Sequence, residues 1–329
     1  MFNLTAGPEL QQLAAGRDAE RRFVEDFLAG FDAAAAAWSA VLADPVTLNF
    51  TLDLDVDTLP AGAGGGALPE FVAHDYASVV HPALAADRAS RNDALAVASL
   101  PSPRASGVEF ITNDTTVIPS PRIRDADGST NNMTLAMTRA NAKALRLVPA
   151  ADPGTDGTIL ITGNLPAGIH WDFDPRDGIG RRHVDFVGLA IHELGHQLGF
   201  VSGVDAVDTF GGDGVRPEGP LAGEHHDLNI QVLFLTLDLF RYTQDSLAHD
   251  QQPRGGLRDF AFGSPGADDV PFLSIDGGEM SLGTLSSGVF NGDGFQASHW
   301  QHDHGLGVMD PVVGIGNLRT ISPLDIMVL

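Results

Sequence analysis

At 329 residues and 43% apolar, the chain can bury a sizeable core, as one large domain or two ordinary ones. Its 43 acidic and 19 basic residues leave a net charge of −24, which disfavours nucleic acid and anionic membranes as partners. Without cysteine there are no disulfides or thiolate metal sites, and no apolar run is long enough for a membrane span.

The opening stretch, MFNLTAGPELQQLAAGRDAERR, lacks the basic segment and apolar core of a signal peptide. The chain therefore reads as cytosolic or as starting after such a segment. The acidic balance and the Asp- and Gly-rich loops weigh toward a secreted or cell-surface setting.

Phe23, Phe27, Phe31, Ala34, Trp38, Val41 and Leu42 recur at three- and four-residue steps, which predicts an amphipathic helix over 18–43 ended by Asp44-Pro45. VTLNFTLDLDV then alternates, with Val46, Leu48, Phe50, Leu52, Leu54 and Val56 facing a core and Thr47, Asn49, Thr51, Asp53 and Asp55 facing out. PAGAGGGALPE (60–70) reads as a flexible loop, 82–98 as a helix, and GVEFITN and GTILITGN as strands. MTLAMTRANAKALRLV (133–148) between them reads as a helix, so the first 165 residues suit a mixed α/β layer. After a helix at 185–200, 203–226 reads as loop, 227–243 as a buried helix and 244–298 as strands and turns. ISPLDIMVL closes the chain as a helix of about two turns started at Ser322-Pro323.

Within the helix DFVGLAIHELGHQLGFV, His192 and His196 are four residues apart and so share one face, where both can reach one zinc ion. Glu193 between them is positioned to take a proton from a water at the open coordination position. H-E-x-x-H arises by chance in roughly one chain in a hundred of this composition, so the motif is a strong signal. Gly199 can adopt the left-handed backbone that stops a helix and turns the chain. Three residues beyond it stands Ser202, a poor zinc ligand, so the third ligand must come from further on. Candidates are Asp205, Asp208, Glu224 in GEHHD, and His225, His226, His249, His299, His302 and His304.

HELGHQLGF followed much later by ASHWQHDHGLGVMDP resembles the leishmanolysin-type metzincins, in which a long insertion separates the motif glycine from the third zinc histidine. DFVGLAIHELGHQLGFVSGVD with NGDGFQASHW is similar to a group of bacterial metalloproteases that are often exported. The resemblance is specific over 185–205 and 288–326, and only topological before residue 160. It implies His299, directly before Trp300, as third ligand and Met309 as the methionine of the turn beneath the zinc. It further implies an α+β zincin fold: a mixed sheet, an active-site helix, and one catalytic domain with an N-terminal subdomain (1–200) and a C-terminal one (201–329). The implied activity is zinc-dependent endopeptidase, with Glu193 as general base and a protein or peptide substrate laid along the sheet's edge strand near 158–174. The tyrosine that follows some metzincin Met-turns has no counterpart, since the only tyrosines are Tyr76 and Tyr242.

Two other readings stand beside this one. A thermolysin-like zinc peptidase would use Glu224 as third ligand, and a non-catalytic metal-binding surface module would bind a metal without cleaving anything. The intact Glu193 argues against the second. Asp172, Asp174 and Asp177, Asp125 and Asp127, and Asn291 and Asp293 offer oxygen ligands of the kind calcium takes, although Asp and Gly are also ordinary turn residues. His170 and Trp171 fit an edge strand beside the cleft, although a plain structural role accounts for them more simply.

Overall fold

The computed structural model describes residues 1–55, 57–117, 120–211, 229, 234–249, 257–263, 266 and 269–329. The chain begins with β1 (Phe2–Ala6), α1 (Pro8–Ala14), α2 (Asp18–Ser39), β2 (Leu48–Asp55) and β3 (Gly65–Pro69). It continues through β4 (Phe71–Asp75), a π-helical turn (Tyr76–Val80), α3 (His81–Asp87), α4 (Arg91–Ser99), β5 (Phe110–Asn113) and β6 (Arg122–Asp125). Next come α5 (Thr130–Met133), β7 (Thr134–Thr138), α6 (Arg139–Ala144), β8 (Gly157–Thr162), β9 (His170–Asp172), β10 (His183–Asp185) and the motif helix α7 (Phe186–Leu198). The last elements are α8 (Val204–Phe210), β11 (Arg241–Tyr242), α9 (Gln244–Ala248), β12 (Arg258–Asp259), β13 (Phe272–Leu273), β14 (Gly283–Thr284) and α10 (Pro323–Val328). Several small sheets and ten α-helices among the described residues make this an α+β protein.

The chain forms two compact units, neither of them a continuous stretch. The first comprises Met1–Phe71, Thr138–Gly199 and Leu306–Leu329. Its sheet has the order β1-β2-β8-β3, with β1, β2 and β8 parallel and β3 antiparallel at the edge. The aromatic stripe of α2 packs on α7: the rings of Phe27 and Phe31 lie 5.0 and 5.7 Å from that of Phe186. Trp38 Nε1 donates to the Ile191 carbonyl at 2.9 Å, which satisfies its buried N–H. The only lysine, Lys143, is buried and donates to Asp156 Oδ2 at 2.6 Å and to the Thr47 and Asp152 carbonyls, tying α6 to the segment that enters β2.

The second unit comprises Val72–Met137 and Phe200–Gly305. It holds the sheets β12-β5-β6, β4-β7 and β11-β13-β14. Phe110 stacks on Phe234 at 5.1 Å and meets Phe260 edge-on, and the guanidinium of buried Arg258 lies over the Tyr242 ring.

Several expectations change. The predicted helix over 18–43 stops at Ser39, where the amides of Val41 and Leu42 both turn back to the Trp38 carbonyl and close the last turn. Asp53, expected to face solvent, is buried and accepts from the amides of Glu9 and Leu10. It serves as the acceptor for the start of α1, whose cap residue Gly7 has no side chain to offer. The expected flexible loop at 60–70 contains β3. The expected helix over 82–98 is broken at Arg88, and Ser90 caps its second half. The expected helix over 133–148 is strand β7 followed by α6, and the switch falls at Thr138, whose hydroxyl caps α6 by accepting from Asn141 N. Residues 204–210, read as loop, form α8, with Val204 and Val207 buried. The described part of 227–243 is a 3₁₀ turn (Leu237–Phe240) and β11, not an α-helix. Within 244–298 the strands are short, and α9 was not anticipated. The closing helix is present, with Ser322 Oγ accepting from Leu324 N and Asp325 N. Val56 and the candidates Glu224, His225 and His226 lie outside the described residues.

Candidate metal centre

Every residue of α7 is buried, so its two histidines are held in a solid helix rather than on a surface. Asp185 caps the start: Oδ1 accepts from Gly188 N at 2.8 Å, and Oδ2 accepts from Arg319 N at 2.9 Å. The helix ends at Gly199, with φ +128°, and Asn141 Nδ2 donates to the Leu198 carbonyl at 2.8 Å. A Cβ at Gly199 would lie 2.5 Å from Asn141 Oδ1 in a backbone region that L side chains rarely adopt. Gly199→Ala should therefore destabilise the protein by about 1–3 kcal/mol, read as a lower denaturation midpoint at unchanged slope. A midpoint equal to wild type would sink this account of the turn.

His192, His196 and His299 each offer a ring nitrogen, and these atoms all lie within 4.8 Å of one another. All three side chains are buried, and among the described residues no other group of three or more His, Asp or Glu converges in this way. His192 Nε2 and His196 Nε2 are 3.1 Å apart. A tetrahedral zinc with 2.0–2.1 Å bonds would hold two nitrogens about 3.3 Å apart, so the spacing suits such an ion.

Hydrogen bonds at the far side of two rings leave the inward nitrogens free of protons. His192 Nδ1 lies 2.8 Å from the Val308 carbonyl and His299 Nδ1 lies 3.2 Å from the Gln296 carbonyl. A carbonyl only accepts, so Nδ1 carries the hydrogen in each ring and Nε2 keeps its lone pair. Burial also pushes the His192 pKa down to about 4, which makes the ring neutral at physiological pH. The donor set, the tautomers of His192 and His299, and the spacing fit a metal ion.

Glu193 is 3% exposed, and burial pushes its pKa up to about 8. Its carboxyl lies against β3: a Cβ at Gly65 would come within 2.7 Å of Oε1. Met309 is fully buried against α7 at Gly195, where a Cβ would lie 2.4 Å from its sulfur. Met309 is legible in the sequence, whereas the need for glycine at position 195 shows only in the packing.

The remaining candidates separate from the trio. The His302 ring is tilted against Phe295 at 5.1 Å, His304 Nδ1 meets Thr284 Oγ1, and His249 Nδ1 lies 2.8 Å from the Asp245 carbonyl. Asp208 accepts from Phe290 N and Asn291 N, and Asp205 accepts from Ala297 N. The carboxylates of the Asp-Gly clusters serve turns: Asp172 accepts from Asp174 N and Gly180 N, Asp127 from Ser129 N, and Asp293 from Ser287 N. Strand β9, with His170 and Trp171, pairs with β10, and Trp171 meets Phe186 edge-on at 5.5 Å. The sheet edge also falls elsewhere than expected. β8 lies inside its sheet, and β3 is the edge strand against which Glu193 rests. Its glycines hid it, because they mimic a flexible loop.

Fold and site together define an α+β protein with a buried three-histidine group suited to a metal and a carboxyl beside it. Compared with known proteins, the chain matches no family model, no curated protein and no solved structure.

Proposed function

We propose that the chain is a zinc-dependent endopeptidase of the leishmanolysin-like metzincin type, with a zincin fold forming a single catalytic domain. The observation that carries this reading is the convergence of His192, His196 and His299, with Glu193 next to the first of them in α7. Zinc held by the three histidines would polarise the scissile carbonyl and lower the pKa of a water to about 7. Glu193 takes the proton of the attacking water and passes it to the leaving amine. Gly65–Pro69 offers an edge of backbone N–H and C=O groups to an extended protein or peptide substrate, in a register that runs past Glu193. Met309, packed against Gly195 of α7, would be the methionine of a metzincin-type Met-turn in this reading. A secreted or cell-surface setting belongs to this reading, and it fits the acidic composition.

The test is zinc stoichiometry and affinity after gentle chelation, in wild type, His299→Ala and Glu224→Ala. One zinc per chain in wild type is expected, with affinity at least about 100-fold weaker in His299→Ala and unchanged in Glu224→Ala. The reverse pattern would favour the thermolysin-like ligand set. Undiminished affinity in both variants would remove both ligand sets.

A further inference from the structure

The third histidine stands about a hundred residues beyond the motif, in a stretch without helix or strand of its own, yet metal binding needs its ring held as firmly as the two on α7. What holds it is a set of polar contacts concentrated on residues 297–300. Asp205, in the first turn of α8, accepts from the Ala297 amide at 2.6 Å with Oδ1 and from the Ser298 hydroxyl with Oδ2. Ser298 Oγ in turn accepts from the Ser202 amide at 2.8 Å. Ser202 is itself fixed, its hydroxyl donating to buried Asp238 at 2.6 Å while Asp238 also accepts from the amides of Gly203 and Leu235. From the other side, Ser286 N donates to the His299 carbonyl at 3.0 Å and Ser286 Oγ donates to the Trp300 carbonyl at 3.1 Å. Buried Trp300 bridges Leu285 and meets the Phe200 ring edge-on at 5.1 Å.

We infer that Asp205, through Ser298, is the positioning residue for the third metal ligand. It grips the two residues immediately before His299, one by its amide and one by its side chain, and is the only side chain described that holds both. Ser202, which stands where the commonest form of the motif has its third histidine, serves the same end, since its amide completes the grip on Ser298. Ser202 and Asp205, just after the motif helix, thus hold the remote segment that carries His299. A carboxylate suits this place because its two oxygens accept from two donors at once, and an alanine would leave the Ala297 amide without that partner.

This inference rests on the three-histidine reading. It is tested by zinc affinity, measured by competition with a chromogenic chelator on the full chain, for Asp205→Ala, Ser298→Ala, His299→Ala and Asp205→Ala combined with His299→Ala. Asp205→Ala should weaken zinc binding by about 10–100-fold, and Ser298→Ala, which removes only one hydroxyl, in the same direction. In the His299→Ala background Asp205→Ala should change the remaining two-histidine affinity by less than about twofold, because there is no third ligand left to position. An equal loss in both backgrounds would show a general structural role and overturn the inference. Wild-type affinity in Asp205→Ala and Ser298→Ala, with His299→Ala weakened, would overturn it while sparing the three-histidine reading. Wild-type affinity in His299→Ala would overturn both. Should Asp205→Ala fail to fold, Ser298→Ala carries the test alone, and wild-type affinity there would overturn the inference.

Discussion

Glu193→Gln is expected to keep one zinc per chain and lose about 10²–10⁴-fold in kcat/KM for peptide hydrolysis. The substitution preserves the volume of a side chain packed against Gly65, so the surroundings of α7 should not shift. It removes the one chemical property the proposed reaction needs there, the ability to take a proton from water and give it up again. The carboxyl is buried, so the loss is read on a group held in place rather than on a mobile surface side chain. Equal zinc content with cleavage of an extended peptide within a few-fold of wild type would sink the role of Glu193. It would also return weight to the non-catalytic metal-binding module, whose site has no use for a base. Hydrolysis lost together with zinc would instead make the carboxyl part of the metal's support.

The second large effect lies in stability. Without metal, the two buried groups act against folding in opposite directions of pH. The His192 pKa is lowered to about 4 in the folded protein, so the unfolded chain binds that proton first as pH falls. The stability this ring contributes is therefore lost between about pH 6.5 and 4, on the order of 3 kcal/mol. The Glu193 pKa is raised to about 8 by burial, so the unfolded chain releases that proton first as pH rises. Stability from this group is present below about pH 4.5 and is lost on the way to pH 8, on the order of 5 kcal/mol.

A divalent metal at the three histidines changes this balance, because a positive charge nearby favours the Glu193 carboxylate and a neutral His192 is the form that binds it. Zinc at about 1,000 times its dissociation constant at pH 6 stabilises by about 4 kcal/mol, and at that fixed zinc concentration the gain in melting temperature should grow between pH 6 and pH 8. Zinc uptake at pH 7 should release close to one proton, read as a dependence of binding heat on the buffer's ionisation enthalpy. A gain that shrinks over that range, or zinc uptake without proton release, would remove Glu193 as the group that titrates.

What is legible in the sequence follows from local rules. The four-residue spacing of His192 and His196, the apolar positions around them and the glycine after them all act within one helix. The Phe27-Phe31-Ala34-Trp38 stripe and the Ser322 cap are local in the same sense, and these elements are present. Elements whose identity depends on a partner differ from their local pattern. Gly65–Pro69 is a strand only because β8 supplies its hydrogen bonds, and Thr134–Thr138 pairs with β4 although its residues also suit a helix. Asp53 looked like the polar face of a strand because the helix start it satisfies comes from elsewhere in the chain.

The same division runs through the site. By itself, the sequence determined a helix with two histidines on one face and an acid between them, since a 3.6-residue turn leaves no other arrangement for that spacing. It left the third ligand among several carboxylates and histidines, because one-dimensional distance does not measure separation in space. Only the tertiary structure brought His299 to the pair and set His302, His304 and His249 apart. It also put Glu193 against an edge strand and gave Asp205 its place beneath Ala297 and Ser298. The physical reason is that ligand geometry, burial and the orphaned amides of a loop are satisfied by residues far apart in the chain, and such partners leave no periodicity to read.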